Sequence, residues 1–265
     1  AILLPLAGSP FIVLLGRRPN LRELATFVTG GATFAVVLSL LPQVLAGFRP
    51  SIELVQVLPG LSLGFTVEPL GMLFGLVASG LWIITSLYSI GYMRGHHEEQ
   101  QTRFYFFFAV AITAALGVAF AANMFTLFIF YEVLTLSTYP LVTHHRSAEA
   151  RMSGRIYMGI LLGTSVGFLL LALVWTWHLA GTVDFVPGGI LEGKASEGMV
   201  VVLLALYAFG TGKAALMPFH RWLPAAMVAP TPVSALLHAV AVVKAGVFTV
   251  MKVIVYIFGI DFLSS

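Results

Sequence analysis

The sequence of 265 residues contains no cysteine and few charged residues. Without cysteine, the chain has no disulfide, no thiolate metal ligand and no thiol nucleophile. Only 9% of the residues are Asp, Glu, Lys or Arg, whereas 59% are hydrophobic. A soluble domain cannot bury this much apolar surface. The sequence therefore predicts an all-α, polytopic transmembrane helix bundle.

The formal net charge of +3 and the isoelectric point near 9.3 do not indicate a nucleic-acid partner. The arginines fall in short segments between apolar runs, and no basic patch accompanies a soluble fold. The first apolar run, 1–15, precedes Arg17 and Arg18, whereas a secretory signal peptide carries its positive charge before the apolar core. We therefore expect a first span here, in a chain whose beginning is trimmed because it starts at Ala1 rather than Met.

Eight apolar runs approach or reach the roughly 20 residues that a helix needs to cross a bilayer. Asn123 alone separates the fourth run from the fifth, which predicts a tight helical hairpin. Residues 181–198 are polar enough to predict an exposed loop. The eight predicted spans lie near 1–15, 24–45, 67–91, 104–122, 124–143, 154–179, 199–219 and 232–254.

The basic residues between these spans divide unequally between the two sides of the membrane. The larger group consists of Arg17, Arg18, Arg22, Arg94, Arg103, Arg146, Arg151, Arg155 and Arg221. The smaller group consists of Arg49, Lys194 and Lys252. Because cytoplasmic loops carry the excess of Lys and Arg, we expect loops 1–2, 3–4, 5–6 and 7–8 in the cytoplasm. The N-terminus would then lie outside a prokaryotic cell (inner) membrane.

Three ionisable residues, Glu132, Lys213 and Lys244, fall well inside predicted spans, and His238 accompanies them. Such residues are rare in membrane helices, face the bundle interior and indicate function. The alternatives are a buried structural ion pair between Glu132 and Lys213 and a packing role for His238. We expect the Glu132 carboxylate and the Lys213 ammonium to lie close together in a hydrated interior and to influence each other's charge.

The helix around Lys213 is predicted to be broken. Gly210 and Gly212 weaken the local hydrogen-bond ladder, and Pro218 removes a backbone donor. Irregular backbone at membrane depth occurs where it lines a cavity or is buried in protein, and broken helices mark ion sites in many transporters. The alternative is that the glycines serve helix packing and the proline a simple kink.

Other short motifs do not indicate a cofactor or a metal site. In "GTGK", Tyr207 and Ala214 replace the glycine and the hydroxyl residue that a phosphate loop requires. The histidines and glutamates of "HHEE" (96–99) and "HH" (144–145) fall in predicted loops. We expect these to be solvated loop residues, with metal binding and surface proton collection left as alternatives, and we expect no cofactor.

Two stretches of the chain resemble a known family. The segment "KAALMPFHRWLPAAMVAPTPVSALLHAVAVVKAGVF" closely resembles the signature of the proton-conducting membrane transporter family, and "YEVLTLSTYPLV" resembles its glutamate-bearing span. This family comprises the antiporter-like subunits of respiratory complex I, of membrane hydrogenases and of Mrp multisubunit cation/proton antiporters. Within this family, the sequence "AMVAPTPVSALLHAVAVVKAGVF" is most similar to the Mrp D-type subunit.

The resemblance covers roughly 67–258 and implies roles for the charged residues. Glu132 matches the family's fifth-span glutamate and Lys213 the lysine of its broken seventh span, while His238 and Lys244 match relay residues of its eighth span. Residues 1–100 would hold the first three spans, and residues 101–258 the first of two inverted five-helix repeats, each a half-channel. The second repeat is absent, so a fragment, an incompletely determined chain and a split subunit completed by a partner all stay open.

The implied function is proton translocation within a multisubunit monovalent cation/proton antiporter, through a relay of Glu132, Lys213, His238 and Lys244. The implied partners are other integral membrane subunits, protons and the lipid bilayer, with Na⁺ or K⁺ transport left open. An alternative is a proton-pumping subunit of a respiratory NADH:quinone oxidoreductase or a membrane-bound hydrogenase, which iron–sulfur and flavin partners would signal. Two further alternatives are inorganic carbon uptake with a zinc-bearing soluble partner, and pigment or haem binding through His238.

Overall fold

The computed structural model describes residues 1–236 and 240–264 as a helical bundle that carries one small antiparallel sheet. A π-helical turn at Ser165–Leu169 interrupts the long helix Ala148–Ala180, and another at Val253–Phe258 directly follows the helix Val242–Lys252. In chain order the elements are α1 (Leu3–Leu14), α2 (Pro19–Leu45), β1 (Ser51–Leu58), β2 (Leu61–Thr66), α3 (Pro69–Gly95), α4 (Gln101–Ala119), α5 (Met124–Val142), α6 (Ala148–Ala180), α7 (Glu197–Gly210), α8 (Trp222–Ala225), α9 (Thr231–Ala235), α10 (Val242–Lys252) and α11 (Ile260–Ser264).

Within the described residues, five helices are long and apolar enough to cross a membrane, namely α2, α3, α4, α5 and α6. The helical, membrane-spanning architecture is thus confirmed, whereas the count of eight spans is not. α1 has 12 residues, about 18 Å at 1.5 Å per residue, which is shorter than a bilayer core. α7 is also short, with 14 residues, and the predicted span 232–254 is divided between α9 and α10.

Local sequence signals set several of the helix ends. Pro19 and Pro69 occupy the first helical positions of α2 and α3, where the missing N–H costs nothing. The side chain of Ser147 caps α6 by accepting from the Ala150 N–H at 3.0 Å. α6 ends at Gly181, whose φ of +75° only glycine adopts readily.

The predicted hairpin around Asn123 is confirmed, because α4 ends at Ala119 and α5 begins at Met124. The Asn123 side-chain oxygen accepts from the Thr126 N–H at 2.8 Å and so caps α5. α4 packs against α1, α3 and α5, and it is buried continuously from Ala111 to Ala119. This helix therefore forms the centre of the apolar core.

A β-hairpin between α2 and α3 was not predicted from the sequence. β1 and β2 pair antiparallel from Ser51 opposite Thr66 to Leu58 opposite Leu61. β2 is fixed to the bundle because the Gly64 N–H donates to the Thr126 hydroxyl at 3.0 Å. β1 is exposed along its whole length, so the hairpin presents one free edge.

Three residues that the sequence assigns to loops belong instead to the buried interior. Arg22 is only 4% exposed and donates to the Gln101 side chain at 2.7 Å, which ties α2 to the start of α4. Glu23 beside it accepts from Arg94 of α3. Lys252 was assigned to the group of three basic loop residues, and that was wrong because it is 1% exposed at the end of α10. A buried acidic partner, described below, stabilises it there.

Candidate functional site

The polypeptide is irregular on the C-terminal side of α7. The α-helix ends at Gly210, and Gly212–Ala214 forms a single 3₁₀ turn. Ala215 then adopts a left-handed conformation with φ +56°, and Pro218 precedes a second short turn before α8. The segment between Gly210 and Trp222 therefore lacks the continuous hydrogen-bond ladder of an α-helix.

Backbone groups released by this interruption find side-chain partners. The Lys213 N–H donates to the Tyr131 hydroxyl of α5 at 3.0 Å. The Gly212 carbonyl accepts from the Trp222 indole N–H at 2.8 Å. Because unpaired backbone groups are costly where no water reaches them, these two bonds stabilise the irregular conformation.

The Lys213 ammonium is enclosed completely, with no exposed surface. Its Nζ donates to the Tyr131 carbonyl at 2.8 Å and to the Thr135 hydroxyl oxygen at 2.5 Å. The Thr135 hydroxyl donates its own proton to the Tyr131 carbonyl at 3.2 Å, so its lone pairs are available to the lysine. Nζ also lies 3.2 Å from the Tyr131 ring centroid, where a cation is attracted by the aromatic face.

Glycines allow three elements to approach this site closely. A Cβ on Gly246 of α10 would collide with the backbone of Lys213 and Ala214. A Cβ on Gly210 would meet the backbone of the π turn in α6, and one on Gly212 would meet the side chain of Thr164. The glycines thus serve both roles considered from the sequence, because they flank the interruption and also pack helices against it.

Glu132 lies beside this site without touching the lysine. The residue is partly buried, and neither carboxylate oxygen has a hydrogen-bond partner among the residues that the structure describes. It forms no ion pair with Lys213 within 4 Å. Coupling between the two residues stays a prediction, with Tyr131 and Thr135 as the direct partners of the ammonium.

The other two predicted relay residues stand differently. His238 lies outside the residues that the structure describes. Lys244 is exposed on α10, whereas Ala245 and Gly246 of the same helix are buried against the bundle. Lys244 therefore points away from the described part of the chain, and the relay roles of both residues stay predictions.

Sequence interpretation missed Tyr131 as a site residue. The signal was present, because Tyr131 and Thr135 are four residues apart and so share one face of α5. Tyr131 and Thr135 are both buried, whereas the next residue, Leu136, is exposed on another side of α5. A pattern of hydroxyl residues on the buried face of a membrane helix could have identified the acceptors of Lys213.

A second buried charge pair was also missed. Lys252 forms an ion pair with Glu68, the residue that precedes α3, and both are buried. Glu68 lies directly before the first turn of α3 and is nevertheless buried. The Lys252 Nζ also lies 4.1 Å from the ring centroid of Phe185.

The histidine-rich loops meet at the end of the bundle near Arg22 and Gln101. The rings of His144 and His145 lie 3.7 Å and 3.6 Å from the same carboxylate oxygen of Glu98. Burial, followed by the charges of Arg103 and His145, lowers the pKa of His144 to about 4, although a hydrogen bond with the backbone of Glu99 favours the charged ring. No set of three or more metal-ligating side chains assembles within 1–236 and 240–264.

Two family profiles match the chain. The profile described as NADH:quinone oxidoreductase/Mrp antiporter, transmembrane, matches residues 121–263, which is more than half of the sequence. The profile described as NADH-ubiquinone oxidoreductase (complex I), chain 5 N-terminus, matches residues 59–105. The first match includes the interrupted helix and Lys213.

Curated relatives include components of sodium/proton antiporters. The A1-type subunit of the Na⁺/H⁺ antiporter of Staphylococcus aureus is 29% identical over 261 residues, covering 95% of this chain and 32% of the relative. The A-type subunit of the Na⁺/H⁺ antiporter of Alkalihalophilus pseudofirmus is 34% identical over 205 residues, covering 73% of this chain and 24% of the relative. The chain thus spans at most about a third of these relatives, which are of the A type rather than the D type that the motif resembled.

Two solved structures share the fold. The membrane-bound sulfane sulfur reductase, an archaeal respiratory membrane complex, superposes with a TM-score of 0.80 at 24% identity, over 94% of this chain and 51% of that one. A chain of the Mrp complex from Dietzia sp. DQ12-45-1b superposes with a TM-score of 0.80 at 22% identity, over 95% of this chain and 47% of that one. Together with the profile over residues 121–263, these similarities confirm the resemblance: the chain belongs to the NADH:quinone oxidoreductase/Mrp antiporter transmembrane family.

Proposed function

We propose that this chain is a proton-translocating part of a multisubunit Na⁺/H⁺ antiporter of the Mrp type. The A-type relatives support this assignment, since the chain aligns with them over up to 95% of its length. In this proposal residues 1–100 form an N-terminal group of helices and residues 101–258 form one half-channel repeat. Other integral membrane subunits complete the transport path.

The observation that carries the proposal is the environment of Lys213. A charged group in a membrane interior is expensive, and such residues mark ion pathways. Lys213 has no exposed surface and lies at an interrupted helix, and within residues 1–236 and 240–264 its ammonium contacts no carboxylate. Because burial disfavours its charged form, the side chain is suited to release and recover a proton during transport.

The other proposed relay residues extend the proton route on both sides of Lys213. Glu132 supplies a negative charge beside the entry to the site, and the eighth predicted span carries His238 and Lys244. Lys244 points away from the described residues, a direction suited to passing a proton to a second repeat or to a neighbouring protein of the complex. The route therefore runs from Glu132 to Lys213, then to His238 and Lys244.

The test is proton flux in proteoliposomes that contain the complete complex, purified through a tag on this chain. Lys213→Ala is expected to abolish Na⁺-driven proton movement while leaving the co-purifying subunits in place. Lys194→Ala, at an exposed loop lysine, is the control and should transport normally. Normal flux from a fully assembled Lys213→Ala complex would remove the relay role.

A second candidate is a proton-pumping subunit of a redox-driven complex. The profile match over residues 59–105 and the shared fold with an archaeal respiratory membrane complex favour keeping it. Iron–sulfur and flavin absorption in the purified complex would support this candidate. Small hydrophobic partners and Na⁺-dependent proton exchange without such absorption would support the antiporter.

Location and orientation complete the proposal. We place the chain in a prokaryotic cell membrane, with the N-terminus outside and the arginine-rich loops in the cytoplasm. Since the sequence contains no cysteine, a single cysteine can be introduced without a background of native thiols. Lys194→Cys should react with an impermeant maleimide added to intact cells, whereas Arg17→Cys should react only after the membrane is permeabilised.

A further inference from the structure

A buried ion pair joins two helices at the opposite end of the bundle from the histidine loops. Glu68 precedes α3, and Lys252 is the last residue of α10. The Lys252 Nζ lies 3.5 Å from the carbonyl oxygen of Ala121, in the connection between α4 and α5. The pair therefore sits where three parts of the chain meet, next to the β-hairpin.

The two members of the pair differ in their access to the surroundings. The Lys252 side chain is 1% exposed and faces the rings of Phe185 and Tyr256, with centroids 4.1 Å and 5.0 Å from Nζ. The Glu68 side chain is 11% exposed. Glu68 is therefore the more exposed member of the pair, although its Oε1 atom, which pairs with Lys252, is itself buried.

Stability alone does not account for such a pair. Removing two charges from water costs several kcal/mol, and a hydrophobic pair of similar size is often as stable. In a membrane interior the cost is a reason to look for a role in transport. The irregular backbone points the same way, because a π turn starts directly after Lys252 and such turns are frequent at functional sites.

α10 connects this pair with Lys213. Gly246 contacts the backbone of Lys213, and Lys252 lies six residues further along, about 9 Å on an α-helix. Thr249 stands midway between them, and all three positions are buried, although Gly246 and Lys252 lie about 120° apart around the helix axis. The Thr249 side chain is a buried hydroxyl.

We propose that Glu68 and Lys252 form an additional proton-exchange step of this half-channel, at the end of the bundle that carries the β-hairpin. In this step an Nζ–H bond of the Lys252 ammonium breaks and an O–H bond forms on the Glu68 carboxylate, which leaves two neutral groups. The Glu68 carboxyl group then gives the proton to water at that end. The neutral Lys252 amine takes up the next proton arriving along α10 from Lys213. The inference rests on the proposed proton transport.

The decisive variant is Lys252→Arg, which keeps the positive charge and the ion pair but resists deprotonation. Because the reference pKa of arginine exceeds that of lysine by more than about two units, proton flux through this step should fall by at least about 100-fold. Assembly, judged by the co-purifying proteins and the thermal midpoint, should stay at the wild-type level. Lys194→Arg is the matched control and should keep full flux.

The outcomes separate the inference from the proposed function. Loss of flux in both Lys213→Arg and Lys252→Arg supports the step, and loss in Glu68→Gln with retained assembly supports the carboxylate as its acceptor. If Lys213→Arg is inactive while Lys252→Arg transports like the wild type, the pair is purely structural and the inference is overturned. If the wild-type complex moves no protons, the proposed function itself is wrong.

Discussion

Tyr131 offers a quantitative test of how the interrupted helix is held together. Its hydroxyl accepts the Lys213 N–H at 3.0 Å, a bond that replaces the one an intact α-helix would provide. Tyr131→Phe removes that oxygen and keeps the ring on which the ammonium rests. The substitution therefore isolates the backbone support of the site from the binding of the lysine side chain.

The expected cost follows from what is left behind. A buried N–H without a partner costs about 1–3 kcal/mol, and Tyr131→Phe leaves the Lys213 N–H of the 3₁₀ turn Gly212–Ala214 in that state. Tyr207→Phe is the matched control, since its hydroxyl bonds to that of Thr176 at 2.9 Å. Thr176 can instead donate to a carbonyl of its own helix, so this loss should be about 1 kcal/mol or less.

Equilibrium unfolding in mixed micelles would measure both variants, and proton flux in proteoliposomes would show which one matters for transport. We expect Tyr131→Phe to be the more destabilised and to lose flux, whereas Tyr207→Phe should retain flux. Equal stability of the two variants, with full transport by Tyr131→Phe, would refute the idea that this hydroxyl maintains the interruption.

Three further predictions follow from the same geometry. Because we propose coupling between Glu132 and Lys213, Glu132→Gln should change the pH profile of proton flux, and superimposable profiles would argue against that coupling. Gly246→Val should destabilise the protein by several kcal/mol or prevent assembly, since its side chain would enter the backbone at Ala214, whereas Gly91→Val, with nothing within 4 Å, should be mild by the same unfolding assay. The pKa of His144 in the folded state is about 4, below the ordinary 6.5. Between these two pH values the unfolded chain binds more protons than the folded one, so the stability of the fold should decrease as the pH drops from 6.5 toward 4. The loss of stability between pH 6.5 and 4 should be at most about 3 kcal/mol, and His144→Gln should reduce it. A thermal midpoint that stays constant over this pH range in both proteins would contradict the prediction.

The interrupted helix could be predicted because its signals are local. Gly210, Gly212 and Pro218 surround a lysine within a few residues of an apolar run, and each weakens a helix for a reason that does not depend on tertiary contacts. The structure adds which groups replace the missing bonds. Those partners, Tyr131 and Trp222, look like ordinary apolar residues when read along the chain.

The pair of Glu68 and Lys252 shows where prediction from sequence fails. Each residue lies near the end of an apolar run, and a charge in that place predicts a water-facing loop. Their pairing depends on the packing of α10 beside the start of α3, which hydropathy along the chain does not encode. The same limit applies to Arg22, whose partner Gln101 lies on another helix.

The β-hairpin was overlooked for a different reason. Its strands are too short to span a membrane and lie between the predicted spans 24–45 and 67–91, in a stretch for which no regular element is predicted. Pro59 and Gly60 between them were a usable signal, since a Pro-Gly dipeptide between two β-prone runs favours a turn. Attention to turn-forming residues inside an apolar chain would have predicted this element.

The contacts of Lys213 have a consequence for how easily the site resets. A carboxylate in direct contact would be stranded as an isolated anion each time the lysine became neutral. A peptide oxygen and a threonine oxygen carry no net charge, and they can keep accepting an N–H from the neutral amine. In the proposed transport cycle, the lysine therefore alternates between its two forms while keeping the same two acceptors, and the bundle need not rearrange.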